Sequence, residues 1–235
     1  MNSLVLWKGP SRIDGKPIML VATDNSKNTK TGAGLVQTWI LRSDIAPLDA
    51  IHSGQDSSIC GDCTLRGAVK DGRNFGRNCY VLVHNAPRSI YAAYTRGRYN
   101  HVSLSEGRDL LAGRLVRLGA YGDPAAVPVN VWRSLLAKAS GYTGYTHQWR
   151  RFSAIRQFCM ASVESEGQAK RAHLRGFRTF RIGRNKVKGE SVCPASKEAG
   201  HKLTCDACLA CNGSSGRVGS IVIAPHGIGA KRLAA

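Results

Sequence analysis

The sequence predicts an α/β fold on a largely parallel sheet, or a partial β/α barrel, carrying cysteine-rich metal-binding segments. Short β-branched or aromatic runs recur along the chain with turn residues after them, and helical patterns lie between many of them. Seven of the eight cysteines fall into two groups. At 235 residues the chain can bury a core without cross-links, so stapling is not the default reason for the cysteines. We read it as one α/β domain over 1–235, with a cysteine segment at 52–84 and a second at 190–216.

The expected strands, in order, are KPIMLVA, LVQTWIL, CYVLVH, RLVRLGAY, YTGYTH, FCMASVES, FRTFRI and SIVIAPHG. Helical patterns cover Arg88 to Arg96, Leu104 to Leu111, Pro128 to Ala139 and Gly167 to Leu174, and a basic helix is expected between YTGYTH and FCMASVES. Pro128 suits a first helical turn, and Gly141 and Gly176 fall where a left-handed residue closes a helix. From Leu115 onward the strands end in polar or ionisable residues. Side chains at the carboxyl ends of parallel strands converge on one mouth. Asp123, His147 and Glu164 are therefore the candidate catalytic residues, with a turn or cap role as the alternative for Asp123 before Pro124.

The late cysteines Cys193, Cys205, Cys208 and Cys211 are spaced C-P-x10-C-x2-C-x2-C. A C-x2-C pair brings two sulfurs of one turn to a single metal, so four such ligands suit a tetrahedral zinc. Three cysteines at that spacing with a Cys-Pro also match the ligand composition of a ferredoxin-type 4Fe-4S cluster, although here the Cys-Pro precedes the run. The early cysteines Cys60, Cys63 and Cys79 follow C-x2-C-x15-C and leave one coordination position to another residue or to substrate. Cys159, His84 and His52 are candidates for it, and Cys159, inside the apolar run FCMASV, reads first as a core residue. His226, between prolyl and glycyl neighbours, reads as a loop histidine.

Lys and Arg number 34 against 15 Asp and Glu, a formal net charge of +19. Such an excess steers polyanions toward the protein and makes nucleic acid the expected partner. The basic residues concentrate between Arg66 and Arg184 and interleave with Tyr, Trp and Phe, the mixture that neutralises phosphates and stacks on bases. Candidate contacts are Arg96, Arg98, Arg150, Arg151, Arg178, Arg181, Arg184 and Lys186. No apolar run approaches the roughly 20 residues of a membrane span. The expectation is a cytoplasmic protein, in whose reducing environment clustered cysteines are metal ligands before they are disulfides.

The succession CGDCTLR…RNCYV, VRLGAYGDP…VW, GYTHQW, MASVES…GFRTFRI and CPAS…CDACLACNG resembles the tailed-phage proteins typified by the mycobacteriophage "gene product 88" family. The likeness runs from Cys60 to Gly213. It implies a phage-borne protein acting in the host cytoplasm and a β/α barrel-like architecture, without an activity. The layout is also similar, more distantly, to radical S-adenosylmethionine enzymes, which hold a cluster by three cysteines at the mouth of a partial β/α barrel. The usual CxxxCxxC triplet is absent; the long second gap resembles the spacing of carbon–phosphorus lyase. In that sense Cys60, Cys63 and Cys79 correspond to cluster ligands and S-adenosylmethionine to a cofactor.

Three readings remain open. One is an iron–sulfur enzyme modifying nucleic acid or nucleotides; a second is a zinc-bound, basic DNA- or RNA-binding protein of phage replication or host takeover. The third is a replication initiator with a tyrosine nucleophile such as Tyr142 or Tyr145.

Overall fold

The computed structural model describes residues 3–24, 30–214 and 219–225. Its strands are β1 (Leu4–Pro10), β2 (Pro17–Thr23), β3 (Leu35–Arg42), β4 (Ala68–Lys70), β5 (Arg73–Phe75), β6 (Asn100–His101), β7 (Leu115–Tyr121), β8 (Gly141–Thr146), β9 (Met160–Val163), β10 (Thr179–Ile182), β11 (Glu190–Val192) and β12 (Ser220–Ile223). The helices are α1 (Pro47–His52), α2 (Ser57–Cys60), α3 (Ala86–Thr95), α4 (Leu104–Leu110), α5 (Val129–Leu135), α6 (Glu166–Leu174) and α7 (Cys205–Cys208).

Ten strands form one sheet in the order β11-β12-β10-β9-β8-β7-β3-β2-β1-β6. From β3 to β11 every neighbouring pair is parallel, whereas β1, β2 and β3 form an antiparallel meander and β6 joins β1 in parallel. Six neighbouring parallel strands, β3, β7, β8, β9, β10 and β12, thus follow one another across the sheet in chain order. Among the described residues β11 and β6 are its two edges, so the architecture is an α/β fold on a large, mostly parallel sheet. β2 and β3 are buried along nearly their whole length, while β7 alternates buried and half-buried positions. Five consecutive residues of β2, Ile18 to Ala22, have no measurable exposure.

The helices take their positions from local signals. Ser103 caps α4 by accepting the Glu106 N–H, while the Glu106 carboxylate accepts the Ser103 N–H at 2.7 Å, the reciprocal capping box. Trp132 of α5 is buried and donates its indole N–H to Pro124 O at 2.8 Å, tying α5 to the turn after β7. Ser165 caps α6, which packs on β9 and β10.

Several sequence expectations change. CYVLVH forms no strand. Asn78 N–H is tied to Leu65 O at 3.0 Å and Arg88 N–H to Val83 O at 3.1 Å, which turns the run into α3 before it meets a sheet partner. The basic segment before β9 forms two short 3-10 turns, Gln148–Arg150 and Ser153–Gln157, in place of a helix. The helix expected from Pro128 to Ala139 is shorter, α5. Gly141 opens β8, where an added Cβ would press on Leu209 and Leu115, so close packing selects glycine there. Gly176 does close its helix with φ +76°. The meander's first strand, β1, went unread because its apolar run LVLW turns polar after Trp7. Among the described residues no helix is long and apolar enough to cross a membrane.

Candidate metal centres

The early cysteines lie on the connection that follows β3. This loop is fixed by buried charge. Asp56, fully buried, pairs with Arg66 at 2.7 Å and Arg77 at 3.0 Å. Arg42 at the end of β3 holds Asp44 at 2.8 Å and Ser58 Oγ at 3.1 Å, and Ser11 Oγ donates to Ser58 O at 2.6 Å. These buried pairs tie α2 and the residues that follow it into one network beside Cys60. The turn then closes with Cys63 N–H on Cys60 O at 3.2 Å. Gly61 inside it has φ +57° and carries the Gln148 amide where a Cβ would stand, so only glycine fits.

The ends of β7 and β8 grip this turn. Asp123 N–H donates to Ile59 O at 2.6 Å, and Gln148 Nε2 donates to Cys60 O at 3.0 Å and to Asp62 Oδ1 at 2.7 Å. The Asp123 carboxylate accepts from Thr146 Oγ1 at 2.7 Å, His147 N at 2.7 Å and Ala125 N at 2.9 Å. Three protein donors on a buried carboxylate make Asp123 the tie between two strand ends and the cap of the Pro124–Ala126 turn. The cap alternative of the sequence reading thus describes its contacts.

His147 and Glu164 come together. His147 Nε2 lies 3.3 Å from Glu164 Oε1, with the side chains 23% and 21% exposed, and Cys63 is near enough to act on the ring electrostatically. Burial pulls the His147 pKa down, but Cys63 and Glu164 outweigh it and hold the imidazole well above its ordinary 6.5. Burial pushes the Cys60 thiol up, helped by the nearby Cys63, Asp56 and Cys79. Cys79 is raised chiefly by burial too, with Arg77 opposing and Cys63 adding. Cys60 and Cys79 both lie in the field of Cys63.

Around this group sits a concentration of unsatisfied polarity. Among the described residues ten buried side-chain polar atoms lack a hydrogen-bond partner. Five of them, Asn74 Oδ1, Arg77 Nη2, Asn78 Oδ1, Tyr121 Oη and Gln148 Oε1, lie on or beside the early cysteine loop, while His147 Nε2 and Glu164 Oε1 face each other at 3.3 Å. Native interiors rarely leave such atoms bare without an ion, water or cofactor to meet them.

The late cysteines gather across the sheet. Cys193 follows β11 and donates its N–H to Val222 O at 2.9 Å. In α7, Cys205 N–H donates to Lys30 O and Asp206 N–H to Thr31 O, both at 3.1 Å, and Asp206 Oδ2 accepts the Gly34 N–H at 3.0 Å. Leu209 with φ +47° reverses the chain, and Gly144 of β8 donates its N–H to Cys211 O at 2.9 Å. Cys193, Cys205 and Cys211 share an apolar cluster with Met160, Ile221, Ile223, Tyr145 and Phe180. Cys211 is pushed up to about 12 by burial, with Cys193, Cys205 and Cys208 adding and the Tyr145 hydroxyl opposing.

All eight cysteines are free thiols, and Cys159 is fully buried in the main core, as its apolar run implied. Among the described residues no three His, Cys, Asp or Glu side chains converge closely enough to hold a metal ion as they stand. By chemistry alone, both sets are rich in the thiol donors that a thiophilic metal or cluster takes. His226 lies outside the described residues.

The eight basic candidates divide. Arg96, Arg98, Arg150, Arg151, Arg184 and Lys186 are exposed. Arg150 stacks 4.2 Å over Trp149, and Arg151 and Arg12 lie 5.3 and 5.5 Å from the Phe152 ring, beside a cleft of about 180 Å³. Arg12 belongs to this patch and was missed because it is far away in sequence. Arg178 and Arg181 instead serve the fold. Arg178 donates to Ala210 O, Gly213 O, Gly219 O and Asn212 Oδ1, and Arg181 forms a buried pair with Glu190 at 2.7 Å. Tyr142 donates to Gln157 O at 3.1 Å, and the Tyr145 ring packs against Phe180 with centroids 4.5 Å apart.

Compared with family models, curated proteins and solved structures, the chain matches none of them.

Proposed function

We propose that this is an iron–sulfur protein of tailed-phage type that acts on nucleic acid or nucleotides. In this reading Cys60, Cys63 and Cys79 hold the reactive centre, and Cys193, Cys205, Cys208 and Cys211 hold a second, structural one. The observation that carries it is the early cysteine loop at the carboxyl ends of β3, β7 and β8, ringed by bare buried polar atoms. Ligands of parallel α/β sheets bind at that end. The six consecutive parallel strands also support the partial-barrel reading, and with it S-adenosylmethionine as co-substrate. A cluster there would supply electrons or a Lewis-acidic iron. The chain's own residues supply the rest: Asp56 and its two arginines fix the loop, Asp123 fixes the strand ends, and the Arg150–Phe152 patch offers cations and rings to a phosphate backbone.

Anaerobic purification tests this. The expected product is brown, with broad visible absorbance bleached by dithionite and with acid-labile sulfide. A colourless protein holding only zinc would overturn it. It would favour a zinc-bound nucleic-acid-binding protein, the reading to which the cation–aromatic patch speaks on its own. Binding would then fall steeply with salt.

A further inference from the structure

Three cysteines supply one thiolate fewer than a tetrahedral metal or a fully ligated cluster takes. The turn after β8 is docked on their loop through Gln148, and Asp123 holds the His147 N–H, so this histidine's backbone is fixed against the Cys60–Cys63 turn. This places the imidazole next to the turn that carries Cys63, near enough for Cys63 and Cys79 to act on it electrostatically. Nε2 faces the Glu164 carboxylate at 3.3 Å, both atoms out of solvent and neither in a well-formed hydrogen bond. An imidazole with a carboxylate at one nitrogen and thiols beside it is how proteins orient a metal-bound histidine: the carboxylate fixes the tautomer and strengthens the ligand.

The geometry points to His147 as the fourth ligand of the early centre, completing a Cys3His set, with Glu164 as the residue that positions its ring. This rests on the reading that Cys60, Cys63 and Cys79 hold metal. It fills the open position with a neutral ligand, the member of the set an incoming substrate donor displaces most easily. It also gives the strand-end residues separate roles, since Asp123 holds the backbone of the ligand and Glu164 its side chain.

The test uses the full chain, freed of native metal and loaded with Co(II) without oxygen. The wild type is expected to bind about two cobalt ions, and the Cys60→Ser, Cys63→Ser, Cys79→Ser triple variant about one. Proton NMR of the wild type should show a paramagnetically shifted, solvent-exchangeable imidazole N–H that is absent in His147→Ala and in the triple variant. His147→Cys should keep both cobalt ions, lose the shifted signal and gain thiolate-to-cobalt absorbance, which carries the test if the alanine variant does not fold. Glu164→Gln should keep the signal but weaken retention of one cobalt about 10- to 100-fold. A shifted signal unchanged in both His147 variants, or none in a wild type that binds two ions, overturns the ligand assignment and leaves the early centre standing. Equal cobalt in wild type and triple variant overturns the early centre and the assignment together.

Discussion

Arg178 separates a fold role from a nucleic-acid role most sharply. Its guanidinium makes four hydrogen bonds at 2.8–3.1 Å, three of them to main-chain carbonyls of Ala210, Gly213 and Gly219. It therefore clamps the end of the late cysteine segment between β10 and β12. At about 1 kcal/mol net for each bond, Arg178→Ala should cost roughly 3–4 kcal/mol. At roughly 2–4 °C per kcal/mol for a chain of this size, that is a fall of about 6–16 °C in Tm. Differential scanning calorimetry of metal-loaded protein reads the shift, and release of metal to a chelator should accelerate with it, because metal binding and folding of the segment are linked. A phosphate-contacting arginine behaves otherwise: its loss lowers the salt slope of nucleic-acid binding by about 1 and leaves stability alone. A Tm unchanged within about 2 °C, together with a reduced slope, would refute the clamp.

Four other outcomes are expected. Burial alone would raise the Glu190 carboxyl, but Arg181 outweighs it and holds the group below its ordinary 4.5. The stability it contributes is thus present above pH 4.5 and lost as the pH falls through the lowered value; urea melts across that range should be flatter for Glu190→Gln. Arg181→Met, which strands the Glu190 charge, should cost about 3–5 kcal/mol in the same melts at pH 7. Gly61→Ala forces a side chain into a positive-φ position against Gln148. It should cost roughly 1–3 kcal/mol and reduce early-centre metal, while Gly15→Ala, also at positive φ but in open space, should spare the metal. Cys205→Ser should strip the late metal and destabilise the fold, whereas Cys60→Ser should lose the early metal and leave more of the fold intact; equal collapse of both, by circular dichroism and metal content, would count against separate roles.

Much of the fold was legible because the strands concentrate β-branched and aromatic residues between Gly, Pro and polar residues, as at RLVRLGAY and FRTFRI. The short edge pieces β6 and β11 were not, since two- or three-residue strands are defined by their partners. CYVLVH shows the opposite failure: it alternates like a strand but is pulled into a turn by contacts at Asn78 and Arg88 that no local pattern announces. The cysteine groups could be read from spacing, and Cys159 from its apolar setting. The role of His147 could not, because its meaning depends on the Gln148 contact with Cys60, 88 positions away in sequence, and on Glu164 from the next strand end. Arg178 and Arg181 looked like phosphate contacts because composition shows a charge without showing its partner.

Metal and acid-labile sulfide, counted on oxygen-free wild type beside the Cys60/Cys63/Cys79 triple-serine variant, test the central claim most directly. Two centres should be found in the wild type and only the late one in the variant. Wild-type protein that is folded, with its thiols reduced, and yet holds neither iron nor zinc would contradict it.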